Sequence, residues 1–350
     1  PYDTMAVINA WHLSLSLSLC CVRLVDELRE FIGKHKTLKT ISFVGHSMGG
    51  LISRYAIGHA YDSSSKTVFG LEPLHFITIC TPHFGCNDTY MKDIKKEDSV
   101  TPCLRWMGAI PVIGKVPAFL FEVFESFFVG LVLRRTGKQL FLRDKNPIII
   151  QMATDGNTEI QFSKASKAKK AQSKKSLDRN KTLADKVPYL SALSAFAERT
   201  CYGNIRGDHV VAWENATVRR KCDLPKISRK EAPYGIVNIE EASQSSPPEG
   251  SLDASLHAST TTENPDGNLT KTKSMATCHK VEVMIKNLEA LGWRRVDVKT
   301  KILIHKNAPW AHDNIISKKD AHDNFKVVAQ HSSELLVKSI QVHEGATNSV

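Results

Sequence analysis

Apolar positions along this chain fall into two spacings, and the two alternate. Val22, Leu24, Val25, Leu28, Phe31 and Ile32 recur at helical intervals within residues 20–36, which predicts an amphipathic helix. Ile41-Ser42-Phe43-Val44 follows as a short strand, and Leu51, Ile52, Tyr55 and Ala56 then share one helical face. Leu74 to Ile79 is a continuous, β-rich apolar run, the mark of a parallel strand covered on both faces. Tyr189 to Glu198 reads as a helix and Thr200 to Ile205 as a strand. Val281, Met284, Ile285, Leu288 and Leu291 line another helix. The stretch from Val296 to Ile304 alternates like a strand at both ends, and Phe325 to Val342 closes as an amphipathic helix. Strands interleaved with helices predict an α/β fold: a mostly parallel sheet with flanking helices.

Other segments break this rhythm. His12 to Leu19 alternates strictly, as a half-buried strand would. Residues 103–133 are richly apolar, and Val116 to Leu133 reads as a helix with five phenylalanines, Phe124 and Phe128 among them. Glu122 and Glu125 fall on one face of it, and two charges near its middle argue against a membrane span. A cap helix over the sheet edge is the expected role. Arg134 to Leu142 and Pro147 to Met152 predict short helices, residues 156–186 a lysine- and serine-rich disordered insert, and residues 226–279 a polar linker.

The strand Ile41–Val44 runs directly into Gly45-His46-Ser47-Met48-Gly49, and a helix follows at once. Strand, tight turn and helix around Gly-x-Ser-x-Gly is the order that a nucleophile elbow requires. The turn should hold Ser47 in a strained conformation with its Oγ exposed. Gly45 and Gly49 are expected where strand and helix pass too close for a Cβ. The helix N-terminus brings backbone N–H groups and its dipole beside the serine, with the Met48 N–H as an oxyanion donor. A serine hydroxyl needs a base, and the base an orienting acid. On elbow-bearing folds the chain order is serine, acid, histidine. Asp208 stands just after the strand Thr200–Ile205, with Asp144 and Asp155 as rivals. His312 lies between the last strand and the last helix, with His209 and His322 as alternatives. His83 follows the strand ending at Ile79, on the edge where open α/β sheets bind ligands. It is a candidate for substrate contact or for a histidine satisfied by backbone.

Three blocks carry a family resemblance: Gly45 to Leu51 followed by Arg54-Tyr55-Ala56-Ile57-Gly58, Phe76 to Gly85, and Cys201 to Trp213. Together they resemble the DUF676 group of serine esterases, lipase-like α/β-hydrolases. The resemblance covers roughly residues 22–225 and resumes weakly near 294–340. It implies the α/β-hydrolase fold with a helical cap, a catalytic set of Ser47, Asp208 and His312, and a substrate pocket touched by His46, His83, Phe84, Phe124 and Phe128. It also implies a core over residues 20–225, with the cap at about 86–150 and the basic insert at 156–186. The same domain would then resume over 280–345 beyond the 226–279 linker. In the family an earlier strand ends in a His-Gly block that supplies a second oxyanion donor. This sequence has no such block, so the fold is expected to be incomplete at its N-terminus. Loss of one such donor costs about a hundredfold to a thousandfold in rate. The implied activity is cleavage of carboxylic esters of lipids; the alternative is a weak or inactive lipid-binding or scaffold protein on the same fold.

Composition narrows the partners. The 350 residues carry a net charge of +11. Residues 161–181 hold eight Lys/Arg against one Asp, so the rest is only mildly basic and no nucleic-acid footprint is expected. A basic loop of this kind suits a solvated insert or an anionic membrane or lipid-droplet surface. The eight cysteines form no Cys-x-x-Cys pair and no zinc spacing. Cys80 and Cys201 sit in strand-like apolar runs and read as buried thiols in a reducing compartment. The N-terminus lacks the pattern of a signal peptide. A cytoplasmic protein, with peripheral membrane contact and no metal or cofactor, is the expectation.

Overall fold

The computed structural model describes residues 17–85, 139–140, 142, 148–153, 155, 187–208, 211–242, 281–300, 304–305, 308–309, 311–316 and 323–347. Helix α1 (Leu17–Lys34) leads to strand β1 (Thr40–His46) and helix α2 (Met48–Ala60). A small hairpin, β2 (Tyr61–Asp62) with β3 (Thr67–Val68), precedes β4 (Glu72–Ile79). Then come α3 (Ile148–Gln151), α4 (Tyr189–Ser194), β5 (Glu198–Asn204), α5 (Trp213–Ala216) and β6 (Gly235–Glu240). A helix α6 over 281–289 leads to β7 (Arg294–Lys299). The two-residue strands β8 (Ile304–His305) and β9 (Ala308–Pro309), α7 (Ala311–Asn314) and α8 (Asp323–Thr347) complete the described chain.

The central sheet has the order β1-β4-β5-β7-β6. The β1–β4, β4–β5 and β5–β7 pairs are parallel, and only β6 runs antiparallel, beside β7. The expected mostly parallel sheet with flanking helices is therefore what forms. One core layer gathers Phe43, Leu51, Ile57, Phe76, Leu193, Met284 and Trp293 between the sheet and α2, α4 and α6. The other face puts Ile77, Ile79, Tyr202, Val296 and Val298 against Ile315 and Val328, the latter from α8. Phe76 and Ile77 sit in different layers because successive strand residues point to opposite faces. That two-sided burial is why β4 shows no polar-out alternation, its buried polar residues His75 and Thr78 having side-chain partners.

The structure corrects the expectation for the second half of the chain. The polar stretch 226–279 is not all linker, since β6 lies within it and pairs with β7 from Gly235↔Lys299 to Glu240↔Arg295. As an edge strand it leaves Ile239 and Glu240 exposed, so its sequence is diluted with polar residues. The cap with Phe124 and Phe128, the insert at 156–186, and the segment His12 to Ser16 lie outside the described residues. Among the described residues no helix is long and apolar enough to cross a membrane.

Candidate active site

The carboxyl ends of the parallel strands converge on one place. Ser47 follows β1 with φ 54° and ψ −125°, a left-handed conformation that costs a non-glycine residue about 1–3 kcal/mol. Three contacts hold it there. Its N–H donates to the Ile79 carbonyl at 2.8 Å. Its own carbonyl accepts from Thr81 Oγ1 at 2.9 Å and from the Gly50 N–H at 3.3 Å. The glycines that permit this approach are Gly45 and Gly50. A Cβ on Gly45 would stand 2.5 Å from the Gly50 nitrogen, and one on Gly50 would stand 2.2 Å from Thr81 Oγ1. A Cβ on Gly49 would meet nothing within 4 Å, so the expected role for Gly49 passes to Gly50. Met48 opens α2 and packs against the core. Its N–H is a first-turn donor with no intrahelical acceptor.

His312, on α7, lies between Ser47 and Asp208. Its Nε2 is 2.7 Å from Ser47 Oγ and its Nδ1 is 2.9 Å from Asp208 Oδ2. Both side chains are enclosed, at 8% exposure for His312 and 2% for Asp208. Asp208 Oδ1 accepts the Val211 N–H at 2.9 Å. An Nδ1–H donated to the carboxylate leaves the Nε2 lone pair facing the serine hydroxyl. His46 does not simply line an opening: its Nε2–H donates to the His312 carbonyl at 3.0 Å, with the two rings 5.0 Å apart. One residue earlier, the Ala311 carbonyl accepts from Asn204 Nδ2 at 3.1 Å. The backbone around His312 is thus anchored on both sides.

Other candidates fall elsewhere. His83 is fully buried, with Nε2 3.0 Å from Thr78 Oγ1 and its ring edge-on to Trp293. Burial, helped by the nearby Arg54 charge, holds its pKa well below the usual histidine value. Its carbonyl accepts from buried Arg54 at 3.2 Å. That enclosed, neutral imidazole overturns its expected substrate contact. Phe84 is likewise fully buried, in the same core layer as Leu51 and Phe76. Asp155, the rival acid, accepts the Leu190 and Ser191 N–H groups at 2.7 and 3.0 Å. It caps the first turn of α4, as an acidic residue at a helix N-terminus should. Asp144, His209 and His322 lie outside the described residues.

Sequence reasoning missed Asn204, Thr300 and the position of Cys80. Asn204 also donates to Cys80 Sγ at 3.4 Å and accepts from the Thr300 hydroxyl. An amide at the carboxyl end of β5, on the edge where open α/β sheets bind ligands, was the available signal for it. Cys80 Sγ, Asp208 and His312 present ligand-type atoms within 4.8 Å of one another. Burial, with the Asp208 charge added, pushes the Cys80 thiol well above its ordinary pKa. A metal requires the thiolate, and both ring nitrogens of His312 already face hydrogen-bond partners, so the trio suits hydrogen bonding and not metal binding.

An α/β sheet with a strained serine at a strand–helix turn, faced by a histidine and an enclosed carboxylate, has the parts of a hydrolase site. Comparison with known proteins points the same way. Residues 16–116 match the model of the family described as "Putative serine esterase (DUF676)", an α/β-hydrolase-like family. A curated relative, "Putative lipase ROG1" of Saccharomyces cerevisiae, is 30% identical over an alignment of 138 residues that covers 33% of this chain and 20% of that protein. The chain thus matches about a fifth of the length of this relative. The family match contains Ser47 and ends before Asp208 and His312. No solved structure matches the chain.

Proposed function

We propose that this chain is a serine hydrolase that cleaves carboxylic esters of lipids. Ser47 attacks the ester carbonyl while His312 Nε2 takes its proton. The oxyanion that forms is met by the Met48 N–H at the start of α2, where the helix dipole also favours negative charge. His312 then returns the proton to the leaving alcohol, and Asp208 stabilises the transient imidazolium. Water repeats the cycle on the acyl-enzyme. The observation that carries this reading is the continuous Ser47–His312–Asp208 hydrogen-bond chain at a strained elbow. The lipid character of the substrate draws on the lipase name of the relative and on the phenylalanine-rich stretch 116–133. A peripheral contact with an anionic lipid surface through residues 161–181 belongs to the same proposal.

A fluorophosphonate probe tests it, because it labels only an activated serine. Wild type should be labelled and should hydrolyse p-nitrophenyl esters. Ser47→Ala should lose both while its thermal midpoint stays within about 1 °C, since a half-buried hydroxyl is removed without a large cavity. Hydrolysis by Ser47→Ala at the parent rate would place the nucleophile elsewhere. An unlabelled, folded wild type would leave the lipid-binding reading in its place.

A further inference from the structure

The acid of the site is enclosed, so its carboxylate oxygens depend on protein donors. His312 Nδ1–H and the Val211 N–H supply two. Cys80, which is fully buried, stands beside them: its Sγ lies within 4.8 Å of an Asp208 carboxylate oxygen and of a His312 ring nitrogen. Cys80 reaches this place through an unusual backbone. It follows β4 with φ 49°, a region that non-glycine residues enter at a cost and that clusters at functional sites. Its N–H donates to the Tyr202 carbonyl at 2.9 Å, which locks the turn. Behind the sulfur the donors run in one direction. The Thr300 hydroxyl donates to Asn204 Oδ1 and Asn204 Nδ2 donates to Cys80 Sγ at 3.4 Å, so the sulfur accepts on the Asn204 side and has its own proton to offer on the side of the carboxylate. Such a chain polarises each successive bond.

We infer that Cys80 is a positioning residue for Asp208, and that its S–H, aligned by Asn204 and Thr300, helps fix the carboxylate that orients His312. The inference rests on the hydrolase reading above. It assigns the thiol neither nucleophilic nor redox chemistry, for which its burial leaves no access.

The test compares Cys80→Ala with Cys80→Ser in the full chain. Wild-type labelling by the fluorophosphonate is read first; its absence would sink the hydrolase reading and this inference with it. Given a labelled wild type, Cys80→Ala should lower kcat about tenfold, the scale of one lost hydrogen bond to a charged group, with KM unchanged. Labelling should slow in parallel. Cys80→Ser keeps an O–H donor in nearly the same place and should restore most of the loss. If Cys80→Ala keeps wild-type kcat, or if Cys80→Ser falls as far as Cys80→Ala, the donor role is wrong while the hydrolase reading stands. Circular dichroism and the thermal midpoint of both variants separate these outcomes from misfolding, because a packing defect would not be repaired by the smaller, more polar serine.

Discussion

Two glycines four positions apart should respond oppositely to the same methyl group. A Cβ on Gly45 would stand 2.5 Å from the Gly50 nitrogen, 2.6 Å from the Gly50 Cα and 2.8 Å from the Gly49 carbonyl carbon. All three are backbone atoms, so no side chain can swing aside. Ordinary contact begins near 3.4 Å, and β1 and the first turn of α2 would have to part by about 0.9 Å to reach it. That movement works against the 2.8 Å bond from Ser47 N–H to Ile79 and the 3.3 Å bond from Gly50 N–H to Ser47. Overpacking costs about 1–3 kcal/mol, and a backbone clash belongs at the upper end, about 3 kcal/mol. Gly49 sits within α2 with open space at its Cβ, so alanine there should gain roughly 0.5–1 kcal/mol of helix propensity. The two variants should differ by about 4 kcal/mol, or roughly 10 °C in thermal midpoint. Urea unfolding followed by circular dichroism gives the free energies directly. Probe labelling adds a second reading: a shift near 1 Å at Ser47 should slow Gly45→Ala about a hundredfold. Equal destabilisation by the two substitutions would refute the close approach of strand and helix on which the elbow depends.

Two other predictions concern groups away from the serine. Asp297 is fully buried and accepts from Trp213 Nε1 at 2.7 Å, Arg219 at 2.6 and 3.2 Å, and Asn238 at 2.8 Å; Asp297→Ala strands a buried guanidinium and should cost about 3–5 kcal/mol in urea unfolding, whereas a loss under 1 kcal/mol would mean that Glu240 alone satisfies Arg219. His75 is enclosed between Ser339 Oγ at 3.0 Å and Thr200 Oγ1 at 2.8 Å, and burial lowers its pKa to about 4 against the opposing pull of Glu198. The unfolded chain therefore binds a proton that the folded chain refuses between pH 6.5 and about 4, and folding stability should fall as pH drops through that window, by up to about 3 kcal/mol. Urea unfolding at pH 7 and pH 4.5 should show a smaller fall for His75→Gln than for wild type, and equal falls would exclude His75 as a source.

Much of the fold was legible because burial on both faces leaves an unambiguous pattern. β4 is rich in apolar residues on both faces, and α6 repeats its apolar face at helical spacing. β6 was not legible, since an edge strand beside one neighbour buries only part of each side chain and tolerates Asn238, Glu240 and exposed Ile239. Positions set by local chain geometry, such as the serine at the strand–helix turn, could be read from a pentapeptide. Gly50 escaped that reading because its neighbour is Thr81 of another strand connection, a contact that no spacing encodes. Asp155 was a rival acid although it lies before the last strands; the nearness of α4 makes it a cap. Cys80 read correctly as a buried thiol, but its approach to Asp208 comes from a positive φ after β4, and a periodicity argument carries no information about a single backbone angle.

The register of the sheet explains how these scattered residues meet. His46 lies opposite Ile79, Ile79 opposite Tyr202, and Tyr202 opposite Val296. The residues just past that line are Ser47, Cys80 and, two beyond Tyr202, Asn204, with Thr300 closing β7. The parallel strands bury Phe43, Phe76, Ile77, Tyr202, Val296 and Val298 in the two core layers and run into hydrogen-bonding side chains at this edge, so packing them in register delivers the donors and acceptors to one place. A slip of one residue in any pair would turn core side chains toward the opposite face, as well as separating the serine, thiol and amide. Core packing therefore enforces the alignment of the site, and the strain at Ser47 and Cys80 is held in part by cross-strand bonds to Ile79 and Tyr202. His312 alone reaches the edge from a helix outside the sheet. The two carbonyl anchors that His46 and Asn204 place around it extend the register of β1 and β5 to His312.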